Sequence, residues 1–311
     1  MTQDLAIRAE GLSKRYGDTL AVDGVDLSIA AGQFFGLLGP NGSGKTSTIH
    51  MLSTLLRPST GRAWVAGHAV SQDPLAVRGA IGVVFQEPAL DRTLSVWENL
   101  RFAGRLNGLT LAEINARSAQ LLELFGLADK RDRSVGALSG GMRRALDIAR
   151  GMLHQPKILF LDEPTIGLDV PNRRAIWRHI GRLRAELGIT VFLTTHYLEE
   201  AIDCDEVAFL SAGRIVRSGT PATLIEQLGR TIVEIESDHP QEIADRLAPR
   251  FGVPLIEGDT VHFRVDREPA ELGSLQAELA TLARATRWRR PNLNDVFLWM
   301  SHPALQRRNA A

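Results

Sequence analysis

GPNGSGKT, residues 39–46, sets Gly39, Gly42 and Gly44 among small residues and closes on Lys45-Thr46. It fits the phosphate-loop pattern G-x-x-x-x-G-K-[ST], which has meaning only between a strand and a helix. QFFGLLG (33–39) is a short apolar run ending in glycine, the pattern of a buried strand. TSTIHMLSTLL (46–56) reads as the helix. Glycines let successive N–H groups curl around phosphates without side-chain clash, and the helix N-terminus adds its dipole. Lys45 is expected to reach the β and γ oxygens of the nucleotide, and the Thr46 hydroxyl to ligate Mg²⁺.

Such a loop needs an acid beside it. ILFLDEP (158–164) supplies two, Asp162 and Glu163, at the end of four apolar residues. A buried strand there delivers Asp162 next to the loop, where it holds Mg²⁺. Glu163, one residue on, lies at the carboxyl edge of the sheet, where it can polarise an attacking water.

Working outward, residues 5–10 and 20–29 alternate apolar and polar positions around a Tyr-Gly-Asp turn and predict antiparallel strands. GRAWVAGHAV predicts further strands, and AIGVVFQ (80–86) and ITVFLTTH (189–196) predict buried ones. Helical spacing runs over 95–126, with Leu100, Leu106, Ile114, Leu121, Leu122 and Phe125 as candidate core and a break at Asn107-Gly108. GGMRRALDIARGMLHQ and residues 171–187 predict two more helices. Strands alternating with helices predict an α/β core with a mostly parallel sheet.

Beyond Leu228-Gly229 the pattern becomes strand (231–237), helix, a hairpin turning at Gly258-Asp259, a helix from Glu268, and a strand at TRWRR. That order predicts a ferredoxin-like domain over 229–311. Ile232, Val233, Ile235, Val261, Phe263 and Val265 are its candidate core, and Val296, Phe297, Trp299 and Met300 form one apolar helix face.

Of 311 residues 44% are hydrophobic and 23% charged, and the formal net charge is zero, so no global basic field points to nucleic acid. Cys204 is the only cysteine, which excludes an internal disulfide and suits a reducing compartment. No apolar run of the ~18 residues needed to span a bilayer occurs, and the opening residues lack a secretory pattern.

LSGGM (138–142) is by itself only a helix start with Ser139 as N-cap. Lying about twenty residues before ILFLDEP, it resembles the signature motif of ABC-transporter ATPase subunits. Every motif of that family follows in order over roughly residues 5–225. Gln86 resembles the Q-loop, IGLD (166–169) the D-loop, His196 the H-loop, and Tyr16 the aromatic that stacks on adenine. Met142 departs from the commonest signature, which has Gln. SGGMRR and PNLNDVFL (291–298) are similar to the drug- and antibiotic-export branch, including the daunorubicin-resistance type.

The resemblance implies a P-loop ATPase core at 1–228 with an antiparallel β-subdomain and a helical subdomain at about 87–155. It implies that Gly39, Pro40, Asn41, Gly42, Ser43, Gly44, Lys45, Thr46 and Ser47 hold ATP. Ser139, Gly140, Gly141 and Asp169 would act on the ATP of a second copy. Thr46, Gln86 and Asp162 would serve Mg²⁺, and Glu163, His196 and Gln86 hydrolysis. It further implies an ATP-dependent homodimer at the cytoplasmic face of a bacterial membrane, driving export through a separate transmembrane subunit. In that family the stretch 87–100 meets the membrane subunit, although Phe85, Leu90, Leu94 and Trp97 also suit a core. A soluble ATPase using the same dimer switch for assembly, and a nucleotide-gated regulator, remain alternatives.

Overall fold

The computed structural model describes residues 4–266 and 283–301. The chain forms two compact units, Met1–Tyr197 with Asp203–Arg217, and Leu198–Ile202 with Ser218 onward.

The first unit opens with two long strands, β1 (Leu5–Tyr16) and β2 (Thr19–Ala30), joined by a tight turn through Gly17. Their alternation buries Ile7, Ala9, Leu12, Val25, Leu27 and Ile29. β4 (Thr60–Val65) pairs with β1, and β5 (His68–Ala69) with β4, giving an antiparallel sheet of order β2-β1-β4-β5. The second sheet runs β10-β9-β3-β8-β7-β6. It contains β3 (Phe34–Leu38), β6 (Ile81–Val84), β7 (Ile158–Asp162), β8 (Thr190–Thr195), β9 (Glu206–Ser211) and β10 (Arg214–Gly219). β3, β7 and β8 are buried at every residue, as befits strands covered on both faces. The pairs β3–β8, β3–β9, β7–β8 and β6–β7 are all parallel. One core joins the two sheets through Phe35, Phe160, Phe192, Ile49 and Leu52.

Around them lie α1 (Lys45–Leu52), α2 (Pro74–Ala80), α3 (Val96–Leu106), α4 (Leu111–Leu124), α5 (Gly140–Met152) and α6 (Val170–Leu187). α3 and α4 each open on a complete capping box, Ser95 with Glu98 and Thr110 with Glu113. Leu100, Ile114, Leu121, Leu122 and Phe125 are buried as expected, but Leu106 is 73% exposed. Val96, Leu100, Ala103 and Gly104 share the inward face at three- and four-residue spacing, and Leu106 falls on the other side. Gly104 approaches so closely that a Cβ there would lie 2.5 Å from Ile114. Phe85, Leu90, Leu94 and Trp97 are each half-buried.

The second unit holds α7 (Pro221–Glu226), β11 (Thr231–Glu236), α8 (Pro240–Phe251), β12 (Leu255–Glu257), β13 (Thr260–Val265), β14 (Ala285–Arg289) and α9 (Leu293–Ser301). The break expected at Leu228 falls inside this unit, because α7 packs against α9. The helix expected from Glu268 lies outside the described residues, as does the Met300 side chain. The sheet order is β12-β13-β11-β14. One face carries Val233, Ile235, Val261, Phe263 and Val265 against Ile243, Ala244 and Leu247 of α8. Ile232 is also buried but lies on the opposite face, where register pairs Glu234 with His262 and Ile232 with Arg289. α9 covers that face. Trp299 meets the His262 ring edge-on, and Arg289 forks onto the fully buried Asp295 at 2.6 and 2.7 Å while its Nε donates to Glu234. These carboxylates hold the guanidinium firmly cationic. Val296 and Trp299 are therefore buried within the unit, and Phe297 is half-buried. Among the described residues no helix is long and apolar enough to cross a membrane.

Candidate nucleotide site

The loop 39–44 joins β3 to α1, and its geometry explains its glycines. Gly44 sits at φ +107°, where a Cβ would lie 2.5 Å from the Ala21 carbonyl oxygen. A Cβ on Gly39 would lie 2.3 Å from the Leu210 carbonyl oxygen. Only backbone fits, so the loop presents N–H groups at the start of α1. Asn41, Gly42, Gly44, Lys45, Thr46, Ser47, Gln86 and Glu163, with Ala21 and Ile166, line a cleft of about 410 Å³. Ser43 is buried behind the loop, its amide donating to Pro40.

Lys45 is buried, and its Nζ donates to the Gly39 and Pro40 carbonyls at 2.8 and 3.1 Å. Its third donor faces Glu163 Oε1 at 3.3 Å. The other Glu163 oxygen lies 3.0 Å from His196 Nδ1. A carboxylate only accepts, so Nδ1 carries the proton in this network. Asp162 is buried at the end of β7, and its Oδ1 accepts from Thr194 Oγ1 at 2.5 Å and from Thr46 Oγ1 at 3.4 Å. The Thr46 hydroxyl, the Asp162 carboxylate and the Gln86 amide give an all-oxygen set of the kind Mg²⁺ takes, with room for water in the cleft. Tyr16 is 48% exposed beside the start of α1, its hydroxyl 3.4 Å from Ser47 Oγ and the Lys14 ammonium 5.4 Å from its ring centroid.

Parallel β3, β7 and β8 thus deliver Lys45, Asp162, Glu163 and His196 to one sheet edge. Ser139, Gly140, Gly141 and Asp169 stand apart from it: none lines the cleft. Ser139 Oγ accepts from the Met142 amide and caps α5, and Asp169 caps α6 through the Asn172 amide. The two helix starts adjoin, for a Cβ on Gly141 would meet the Asn172 side chain and one on Gly140 would touch Leu168.

Two residues with large roles here escaped the sequence reading. Thr194 donates to Asp162, and both its hydroxyl and its carbonyl accept from the Glu163 amide, at 3.2 and 3.1 Å. Arg144 of α5 is buried against the turn that carries Glu163. Thr194 lies in an apolar strand run and Arg144 among other arginines, so neither has a local signal. Ala21 and Ile166 line the cleft through tertiary placement alone.

Residues 22–166 match the sequence profile of the ABC transporter family. The chain is 41% identical to the daunorubicin/doxorubicin resistance ATP-binding protein DrrA of Streptomyces peucetius, over 96% of this chain and 93% of the relative. It is 42% identical to the Nod factor export ATP-binding protein I of Cupriavidus metallidurans, over 96% of this chain and 97% of the relative. Among solved structures it is similar to cbiO1 of Clostridium perfringens, described as part of the ABC transporter complex cbiONQ. The TM-score there is 0.67 at 28% identity, over 80% of this chain and 96% of that one. It also matches a dimeric ATP-binding cassette in a post-hydrolysis state bound to ADP and Pi, with a TM-score of 0.63 at 25% identity, over 69% and 98% of the two chains.

Proposed function

Because the chain belongs to the ABC transporter family as an ATPase subunit of exporter type, we propose that two copies close around two ATP molecules and drive a separate transmembrane subunit. The observation that carries this reading is a division of labour. Lys45 and Glu163 line the cleft, and Asp162 and His196 are hydrogen-bonded to its lining residues Thr46 and Glu163, whereas Ser139–Gly141 open another helix outside it. The free N–H groups of that helix start suit an anion, so a second copy supplies them to the γ-phosphate.

The β- and γ-phosphates lie in the backbone cradle of residues 39–46, with the adenine on Tyr16. A phosphate oxygen competes with Glu163 for the third Lys45 donor and leaves the carboxylate to the attacking water. Glu163 takes the water's proton as its oxygen attacks the γ-phosphorus in line. His196 holds the other carboxylate oxygen, fixing the base in orientation. Thr46, Asp162 and Gln86 would hold Mg²⁺, which would supply neutralising charge to the phosphates. Hydrolysis gives ADP and phosphate and removes what bridges the two copies.

The resistance and export relatives support outward transport of a drug-like or hydrophobic compound from the cytoplasmic face of a bacterial membrane. The groove by Leu94, Phe102 and Leu106, where two large apolar side chains stand exposed, suits a cytoplasmic helix of the membrane subunit.

The test is Glu163→Gln. Turnover should fall by ~10²–10⁴, the usual worth of a general base, while Mg-ATP binding persists and light scattering shows a dimer. Monomer alone under saturating Mg-ATP, or a wild-type rate, refutes the reading. Copurification with a membrane protein and ATP-driven transport in vesicles test the coupling.

A further inference from the structure

Arg144 lies one turn into α5, with its side chain 4% exposed. A buried guanidinium needs partners for its donors, and a nearby carboxylate is the usual one. Asp147 is close, but Arg150 holds that carboxylate at 2.9 Å and Arg144 stands at 3.7 Å. Arg144 instead directs its donors at backbone. Nε donates to the Pro164 carbonyl and Nη1 to the Phe85 carbonyl, while Nη2 reaches those of Asp162 and Glu163, each at 3.2 Å. Three of these acceptors are successive residues, the last of β7 and the first two of the turn that follows it. The fourth immediately precedes Gln86.

That turn is unusual. Glu163 has φ +46°, a left-handed conformation that non-glycine residues avoid. Such a conformation persists where its surroundings over-determine it. On the amide side the Glu163 N–H is held by Thr194, at both its carbonyl and its hydroxyl. On the carbonyl side the Arg144 fork holds Asp162, Glu163 and Pro164 together. The backbone conformation aims the carboxylate between Lys45 and His196.

We propose that Arg144 is a positioning residue for hydrolysis: its fork fixes the left-handed turn that aims Glu163 and ties that turn to the strand end carrying Gln86. The inference rests on Glu163 being the base. Geometry makes arginine specific. Lysine keeps the charge but offers donors from one point, which cannot reach carbonyls spread around a planar fork.

Arg144→Lys and Arg144→Gln test this in the full-length chain. Each should lower kcat by about ten- to a hundredfold, the scale of a mispositioned catalytic group. KM for Mg-ATP should stay within about threefold of wild type, because the phosphate cradle is untouched. In a Glu163→Gln background, single-turnover measurements should show either substitution adding less than about twofold, since the carboxylate to be aimed is gone. Each variant is assayed well below its own unfolding midpoint, beside wild type at the same temperature. A wild-type kcat in the lysine variant, a rate loss carried by KM, or an equal fold-loss with and without Glu163 overturns the proposal. So does failure of both variants to fold, which assigns Arg144 to the core. A Glu163→Gln enzyme at the wild-type rate refutes the base itself; an inactive one beside fully active Arg144 variants refutes only the positioning role.

Discussion

Thr194→Val removes one hydroxyl and leaves shape almost unchanged. The hydroxyl donates to Asp162 at 2.5 Å and accepts from the Glu163 amide at 3.2 Å. Asp162 is only 2% exposed, and its other hydroxyl partner, Thr46, lies at 3.4 Å. A hydrogen bond to a charged group contributes about 1.5–3 kcal/mol. The Glu163 amide keeps the Thr194 carbonyl at 3.1 Å and loses little. The expected cost is therefore about 1.5–3 kcal/mol in unfolding free energy, read by urea titration. If half of that interaction also orients Asp162 toward Mg-ATP, kcat/KM falls by roughly three- to thirteenfold, at 1.36 kcal/mol per decade. Thr194→Ser, which keeps the hydroxyl, should recover most of both losses. Thr195→Val is the control: Thr195 Oγ1 accepts from the Tyr197 amide, and its loss should spare kcat/KM. A Thr194→Val enzyme within about 0.5 kcal/mol of wild type, the range of an ordinary neutral change, with unchanged turnover refutes the argument.

Ser139→Ala should remove only a helix cap, at a cost of about 1 kcal/mol, whereas Ser139→Arg should leave Mg-ATP binding intact and abolish turnover; an active homodimeric Arg variant removes this motif from the mechanism. Arg289→Met strands Asp295, which is fully buried, and should destabilise the second unit by about 3–5 kcal/mol; adding Asp295→Asn should restore part of it, and an unchanged melt in the single variant counts against the buried pair. Burial pushes the His154 and His179 imidazoles below their ordinary range. His154 Nε2 donates to the Ile81 carbonyl, and a proton on its buried Nδ1 would find no acceptor among the described residues. Their neutral forms therefore contribute stability that is fully present above the unfolded value near 6.5 and is lost as pH falls below it. Unfolding free energy should decline from about pH 7 to pH 5.5, and His154→Gln should make that decline shallower; an identical slope would falsify the assignment.

The sequence by itself determined the phosphate loop, the acids and the order of elements, because each is a local code. A strand–glycine loop–lysine–helix string has one structural solution, and four apolar residues before Asp162-Glu163 place those acids at a strand end. The Gly258-Asp259 turn is equally local. Tertiary structure alone decided which faces are covered and which groups meet. Leu106 carries the right residue type at a helical spacing, yet Gly104 brings Ile114 in so closely that the inward face lies two residues away. α7 joins the second unit, although its sequence continues the first, because its partner α9 comes some seventy residues later in the chain. Thr194 and Arg144 show the deepest limit. The partners of Thr194 are 31 and 32 residues away and those of Arg144 between 18 and 59, reached across parallel strands and a buried turn. Hydrogen-bond demand in a dry interior is settled only when strands from distant parts of the chain stand side by side. No spacing along the chain records that meeting.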